Sequence, residues 1–207
     1  MTQNPPLATA CGFESHHRHQ ICCRHDCSLE SVTMRIFAAK ETEYQKVQAF
    51  YHELILKIQA YPYHPTWIIG TYPDNNYLKQ LTANGQVFLG IEDDRAVAAM
   101  VLNSSPNDGY EAVSWQVPAS NADATILHLL GVLPEYWGRG FGKELLDFAE
   151  HLSKANGQKA LRLDVMEENL PARRLYEQAG FKEIETIKMY YESTGWSGFT
   201  MYEKDLR

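Results

Sequence analysis

Beyond residue 27 the chain contains no cysteine; Cys11, Cys22, Cys23 and Cys27 are all it has. No disulfide can staple the body of the protein, and a reducing cytoplasm is the expected home. No apolar run approaches the roughly twenty residues of a membrane span, and the N-terminus lacks the apolar region of a secretory signal. Both absences predict a cytoplasmic protein with no membrane partner. Positive charge is also short: 19 Lys and Arg against 26 Asp and Glu leave a net charge of −7. That balance gives no electrostatic footprint for nucleic acid. The 207 residues, 44% hydrophobic and 22% charged, suffice for one soluble domain with its own core.

Residues 1–33 differ from the rest. They are polar, lack periodicity and carry HHRHQICCRHDC, with four histidines and three cysteines. Such a cluster suggests zinc, but Cys22 and Cys23 are adjacent and no second ligand pair follows, so the spacing matches no closed zinc module. The expectation is a flexible leader without metal, followed by a single domain over residues 34–207.

From Met34 a globular pattern begins. Met34–Ala38 reads as a strand, and Glu41–Ile58 as an amphipathic helix. The stretch YPYHPTWIIGTYPDNN is an aromatic loop, in which Tyr61, Tyr63 and Trp67 either recognise an acceptor or roof the core. Asp74–Ala83 predicts a short helix ended by Asn84-Gly85. Gln86–Glu92 and Ala96–Leu102 predict a hairpin around Asp93-Asp94-Arg95. Glu111–Val117 predicts a further strand containing Trp115. Then come a strand over Ile126–Val132, a helix from Phe141, a strand over Ala160–Met166, a short helix over Asn169–Ala179, and closing strands over Phe181–Tyr191 and Gly198–Glu203. This order predicts an α+β fold with a mixed sheet flanked by helices.

The chain is organised around residues 124–143, ATILHLLGVLPEYWGRGFGK. An apolar strand breaks at Pro134, passes Gly138, Gly140 and Gly142, and enters a helix whose Phe141, Leu145, Phe148, Leu152 and Ala155 share one face. Glycines let backbone approach a ligand closely, and the unpaired amides of a first helical turn favour a phosphate. A Walker loop fails on spacing: Trp137 stands at its first glycine and Glu144 follows Gly142-Lys143. A dinucleotide fingerprint lacks its third glycine, although Asp164 lies about twenty residues on, where that motif wants an acid.

The order Leu130, Val132, Pro134, Gly138, Gly140, Gly142 resembles the acyl-CoA-binding motif of the GNAT superfamily of N-acetyltransferases. Trp137 stands where that family usually has Gln or Arg. Downstream, Asn169, Ala172, Leu175, Tyr176, Gly180 and Phe181 keep every spacing of a second pattern often seen in GNAT enzymes. The resemblance implies a central, mostly antiparallel mixed sheet of about seven strands with helices on both faces. It implies acetyl transfer from acetyl-CoA, a co-substrate, directly to a primary amine, with no metal. It places the pantetheine arm on the backbone of Leu130, Gly131 and Val132, and the pyrophosphate on the amides of Gly138, Arg139, Gly140, Phe141, Gly142 and Lys143. Asn169 contacts the cofactor, and Tyr176 protonates the departing thiolate. For the base, Asp164 and His128 are the candidates, with a water chain or no dedicated base as the alternative; His128 is expected on the same strand face as Leu130 and Val132. The acceptor is a small-molecule amine, with a protein or peptide amine as the alternative. A non-catalytic acyl-CoA-binding module is a third reading. Homodimers are common among similar proteins.

Overall fold

The structure, a computed structural model, describes residues 34–207; the expected leader and its zinc alternative lie outside the described residues. Seven strands form one sheet in the order β1-β2-β3-β4-β5-β7-β6. They are β1 (Arg35–Ala38), β2 (Val87–Glu92), β3 (Arg95–Asn103), β4 (Ala124–Val132), β5 (Ala160–Met166), β6 (Lys182–Tyr191) and β7 (Gly195–Asp205). Every neighbouring pair is antiparallel except β4 with β5. Four helices complete the fold: α1 (Tyr44–Ile58), α2 (Asn75–Ala83), α3 (Phe141–Ala155) and α4 (Leu170–Gln178). None of the described helices is long and apolar enough to cross a membrane.

Periodicity decides which face each helix covers. Helix α1 turns Val47, Phe50, Tyr51, Leu54, Ile55 and Ile58 inward, and each such burial is worth about 1.5–3 kcal/mol. With Leu78 and Leu81 of α2 it packs on Leu89, Ala99, Val101 and Leu129 of one sheet face. On the other face Phe141, Leu145, Leu146 and Ala149 of α3, with Tyr176 of α4, pack on Leu127, Leu161, Leu163 and Tyr202. Local signals set the boundaries. Asp74 caps α2 by accepting from the amides of Asn76 at 2.7 Å and Tyr77 at 3.0 Å. Asp93 and Asp94, at φ 47° and 61°, form the two-residue turn between β2 and β3. Positive φ at both positions is the geometry that matches the twist of a hairpin.

Two expectations about local structure are corrected. Glu41–Glu43 is a separate 3-10 turn ahead of α1. Glu111–Val117 is not a strand: Tyr110–Ala112 is a 3-10 turn and the segment after it is irregular. Its alternating residues suggest a ladder, but its amides go elsewhere. The N–H groups of Gln116 and Val117 both donate to Glu203 Oε2, each at 2.9 Å. Arg162 donates through Nε to Glu203 Oε1 at 3.0 Å and through Nη2 to the carbonyls of Val117 and Ala119. A buried ion pair thus takes up the hydrogen bonds that a neighbouring strand would have received.

Candidate active site

The parallel pair β4 and β5 opens into a cleft. Pairing holds at Ala124, Ile126 and the residue between them, against Ala160–Arg162, and ends there. Beyond this point the strands diverge and leave a cavity of about 130 Å³ between Leu127–Leu130, Asp164–Met166 and α4. A bulge in β4 shapes it. Register against β3 shifts between Ala99 and Val101, and Leu129 sits in the left-handed region at φ 50°. For a residue with a branched side chain this conformation carries strain, which the surrounding packing must hold in place.

The bulge corrects the expected placement of His128. Leu130 and Val132 pack with the α3-side core. His128 stands across from Val101, which belongs to the α1-side core. A strict alternation would have put all three residues on one face; one extra residue reverses the relation. His128 is buried, lies against Asn103 Oδ1 at 3.2 Å through Nε2, and lines the cleft. Burial pushes its pKa below the usual imidazole value, with the Asp164 charge and a Ser105 backbone contact opposing.

The glycine turn lies between the end of β4 and the start of α3. Gly138 and Gly140 take φ 77° and 88°, and a Cβ built on either meets nothing within 4 Å. Their freedom therefore serves the turn and the open space above it, not internal packing. Gly140 is the N-cap of α3 and supplies no side-chain cap. The amide of Glu144 bonds to the Gly140 carbonyl at 3.0 Å; those of Phe141, Gly142 and Lys143 precede it in the first turn and face outward, as first-turn amides do. Outward amides at a helix N-terminus can receive an anion, and this turn has the form of such a cradle. Gly142 and Gly131 have a different cause. A Cβ on Gly142 would press on Leu175 at 3.0 Å, and one on Gly131 would overlap Leu54 at 2.3 Å.

The side chains of this turn point away from it. Phe141 is buried in the core, Arg139 pairs with Glu92 and lies over the rings of Tyr136 and Phe141, and Lys143 pairs with Asp147. Trp137 donates its indole N–H to the Val132 carbonyl at 2.8 Å and packs on Tyr61 at 4.5 Å between ring centroids. The aromatic side chain thus props the end of β4 from the position where the resembling family carries a polar one.

Deeper in the cleft stand Asn169 and Tyr176. Asn169 caps α4, its Oδ1 accepting from the Ala172 amide at 3.3 Å. Tyr176 is buried, its ring centroid 5.9 Å from that of Phe181 and 6.0 Å from that of Tyr202. Its hydroxyl bonds to nothing among the described residues, and the residue lines the cleft. Burial, then the Asp164 charge and Tyr202, push its pKa well above the ordinary phenol value.

Asp164 lines the same cleft and is held by three groups absent from the sequence expectations. Its Oδ1 accepts from Asn107 Nδ2 at 2.8 Å and the Tyr110 hydroxyl at 2.7 Å; its Oδ2 accepts from the Tyr191 hydroxyl at 3.1 Å. Asn107 also donates to the Tyr191 oxygen at 2.6 Å. Burial and the Asp164 charge push Tyr110 and Tyr191 far above the ordinary phenol value, so both remain donors. Of the aromatic loop, Trp67 and Tyr72 reach the cleft, whereas Tyr61 and Tyr63 are exposed. No local sequence signal marks Asn107, Tyr110 or Tyr191 as partners of a carboxylate 27 to 57 residues away.

The family model described as "Acetyltransferase (GNAT) family" matches residues 35–181. The chain belongs to that family. Among curated relatives it is 36% identical over 90 residues to the [ribosomal protein bS18]-alanine N-acetyltransferase of Haemophilus influenzae, covering 44% of this chain and 61% of that protein. It is 35% identical over 83 residues to the mycothiol acetyltransferase of Beutenbergia cavernae, covering 40% of this chain and 28% of that one. The chain thus spans less than two thirds of either relative. A solved structure from Salmonella typhimurium with its cofactor acetyl-CoA shares the fold at TM-score 0.62 and 16% identity, over 84% of this chain and 94% of that one.

Proposed function

We propose that this chain transfers an acetyl group from acetyl-CoA directly to a primary amine. One arrangement carries the reading: the Tyr176 hydroxyl, which bonds to no described residue, and the Asp164 carboxylate line one cleft, in a fold whose helix α3 starts from an uncapped glycine turn. The cradle at Gly138–Lys143 would hold the pyrophosphate, and the diverging edge of β4 at Leu130–Val132 the pantetheine arm. Acetyl-CoA supplies an activated thioester. Asp164 receives the acceptor's ammonium and takes its proton, which frees the nitrogen lone pair. As the new N–C bond forms and the C–S bond breaks, Tyr176 gives its proton to the sulfur; the second proton that the nitrogen sheds on becoming an amide restores the phenol through solvent, and Asp164 releases the first to bulk water. Asn169 orients the cofactor from the start of α4. No nucleophile of the protein is needed, so positioning and charge provide the acceleration.

The acceptor is a small-molecule amine in this reading. Relatives named for a ribosomal protein's alanine support a peptide N-terminus as a second acceptor class. Calorimetric titration with CoA, then thiol release from acetyl-CoA over amines and peptides, tests the reading. CoA binding without transfer to any acceptor would favour the non-catalytic module, and absence of CoA binding would sink the proposal.

A further inference from the structure

We propose that the acceptor end of this cleft selects a primary ammonium with no anionic group beside it. The proposal rests on the acetyl-transfer reading and specifies the acceptor's chemical class. Among the described residues, Asp164 is the one acidic side chain lining the cleft, and no described Lys or Arg lines it. The three groups that hold the carboxylate are neutral donors, an amide and two phenols. They orient the anion and offset part of its desolvation, but they leave its charge in place. Three donors also leave part of the carboxylate's four acceptor positions free for an N–H of the ligand. The rings of Trp67, Tyr72 and Tyr191 line the same cleft, and aromatic faces attract a cation. His128, which also lines the cleft, lies against Asn103, and its burial opposes a compensating positive charge there.

A free amino acid would bring its own carboxylate within a few ångströms of Asp164, with no cationic wall to receive it. Amidation of that carboxylate, or its absence, removes the repulsion. Alkylamines, arylalkylamines, amino-acid amides and peptide N-termini all satisfy the rule; free α-amino acids do not. A like-charge contact at such a distance and a protein-like dielectric weakens binding about tenfold to a hundredfold.

The test is calorimetric titration of 2-phenylethylamine, alaninamide, trialanine and alanine into the full chain, with and without saturating CoA. The chemistry need not proceed for the titration to report. The expected result is binding of alaninamide at least about tenfold tighter than alanine, with 2-phenylethylamine or trialanine alongside alaninamide according to whether the natural source is a small amine or a peptide. Asp164→Asn should abolish the difference, and Tyr191→Phe, which keeps the charge and removes one neutral donor, should retain it. Alanine binding as well as alaninamide, or the difference surviving in a folded Asp164→Asn protein, would overturn the proposal. So would failure of all the amines without an adjacent carboxylate to bind. CoA failing to bind would instead overturn the acetyl-CoA reading, while titration of the free chain still reports the charge rule.

Discussion

Replacing Tyr176 by Phe removes one oxygen from a ring that otherwise stays packed against Phe181 and Tyr202. The hydroxyl bonds to no described residue, so its loss leaves no buried partner unsatisfied. Stability should change by no more than about 0.5 kcal/mol, and CoA affinity should hold. Turnover behaves differently. A positioned acid contributes about a hundredfold to ten-thousandfold, which is about 2.7–5.4 kcal/mol of barrier. Loss of that size should appear in turnover number with little change in the Michaelis constant for acetyl-CoA. Tyr176→Ala provides the contrast, because deleting the ring costs about 3–5 kcal/mol of stability and should lower the melting temperature as well as the rate. The burial that raises the Tyr176 pKa also removes an expected signature. An ordinary phenol would deprotonate near pH 10 and impose an alkaline fall in rate; here that fall is displaced above the working range, so the wild-type profile should be free of it. Thiol release at saturating acceptor and thermal melting measure both sides. Turnover of the Phe variant within a few fold of wild type would show that Tyr176 packs and that water protonates the thiolate.

Gly140→Val should abolish CoA binding, whereas Gly157→Val should keep it. Both positions have positive φ and open space, so both variants carry about 1–3 kcal/mol of backbone strain, but only Gly140 lies in the cradle; calorimetry with CoA separates them. Arg162→Met should destabilise the fold by about 3–5 kcal/mol by leaving Glu203 buried and unpaired, read as a lower urea midpoint, and a loss under about 1 kcal/mol would refute the role given to that pair. His128 has a lowered folded pKa, so the unfolded chain binds its proton more readily. Its contribution to stability is complete above the unfolded value near 6.5 and is lost as pH falls from there towards the folded value. The drop in melting temperature between about pH 7.5 and 5.5 should therefore be smaller in His128→Gln; an equal drop would refute the assignment.

What was legible in the sequence was whatever local chemistry determines. The glycine turn, the start of α3, the Asn169 cap and the Asp93-Asp94 hairpin depend on residues within a few positions of one another. The opening of β4 from β5 was legible through the motif resemblance. What escaped depends on distant partners. The strand expected over Glu111–Val117 failed because Glu203, nearly ninety residues away, takes its amides. The setting of Asp164 escaped because Asn107, Tyr110 and Tyr191 come from separate segments. The bulge is the most instructive miss. Leu129 adopts a left-handed conformation that a sequence announces only when glycine or asparagine stands there. A leucine at that position gives no sign, yet it moves His128 to the α1 side of the sheet, where it faces the cleft with Asp164. An alternation argument, applied to the run Ile126–Val132, cannot see the one residue that reverses it. The surroundings of Asp164, the acceptor side in the proposed function, are therefore fixed by a strained leucine and by side chains from distant segments, while the proposed cofactor side is built on glycines that any reader of the chain can find.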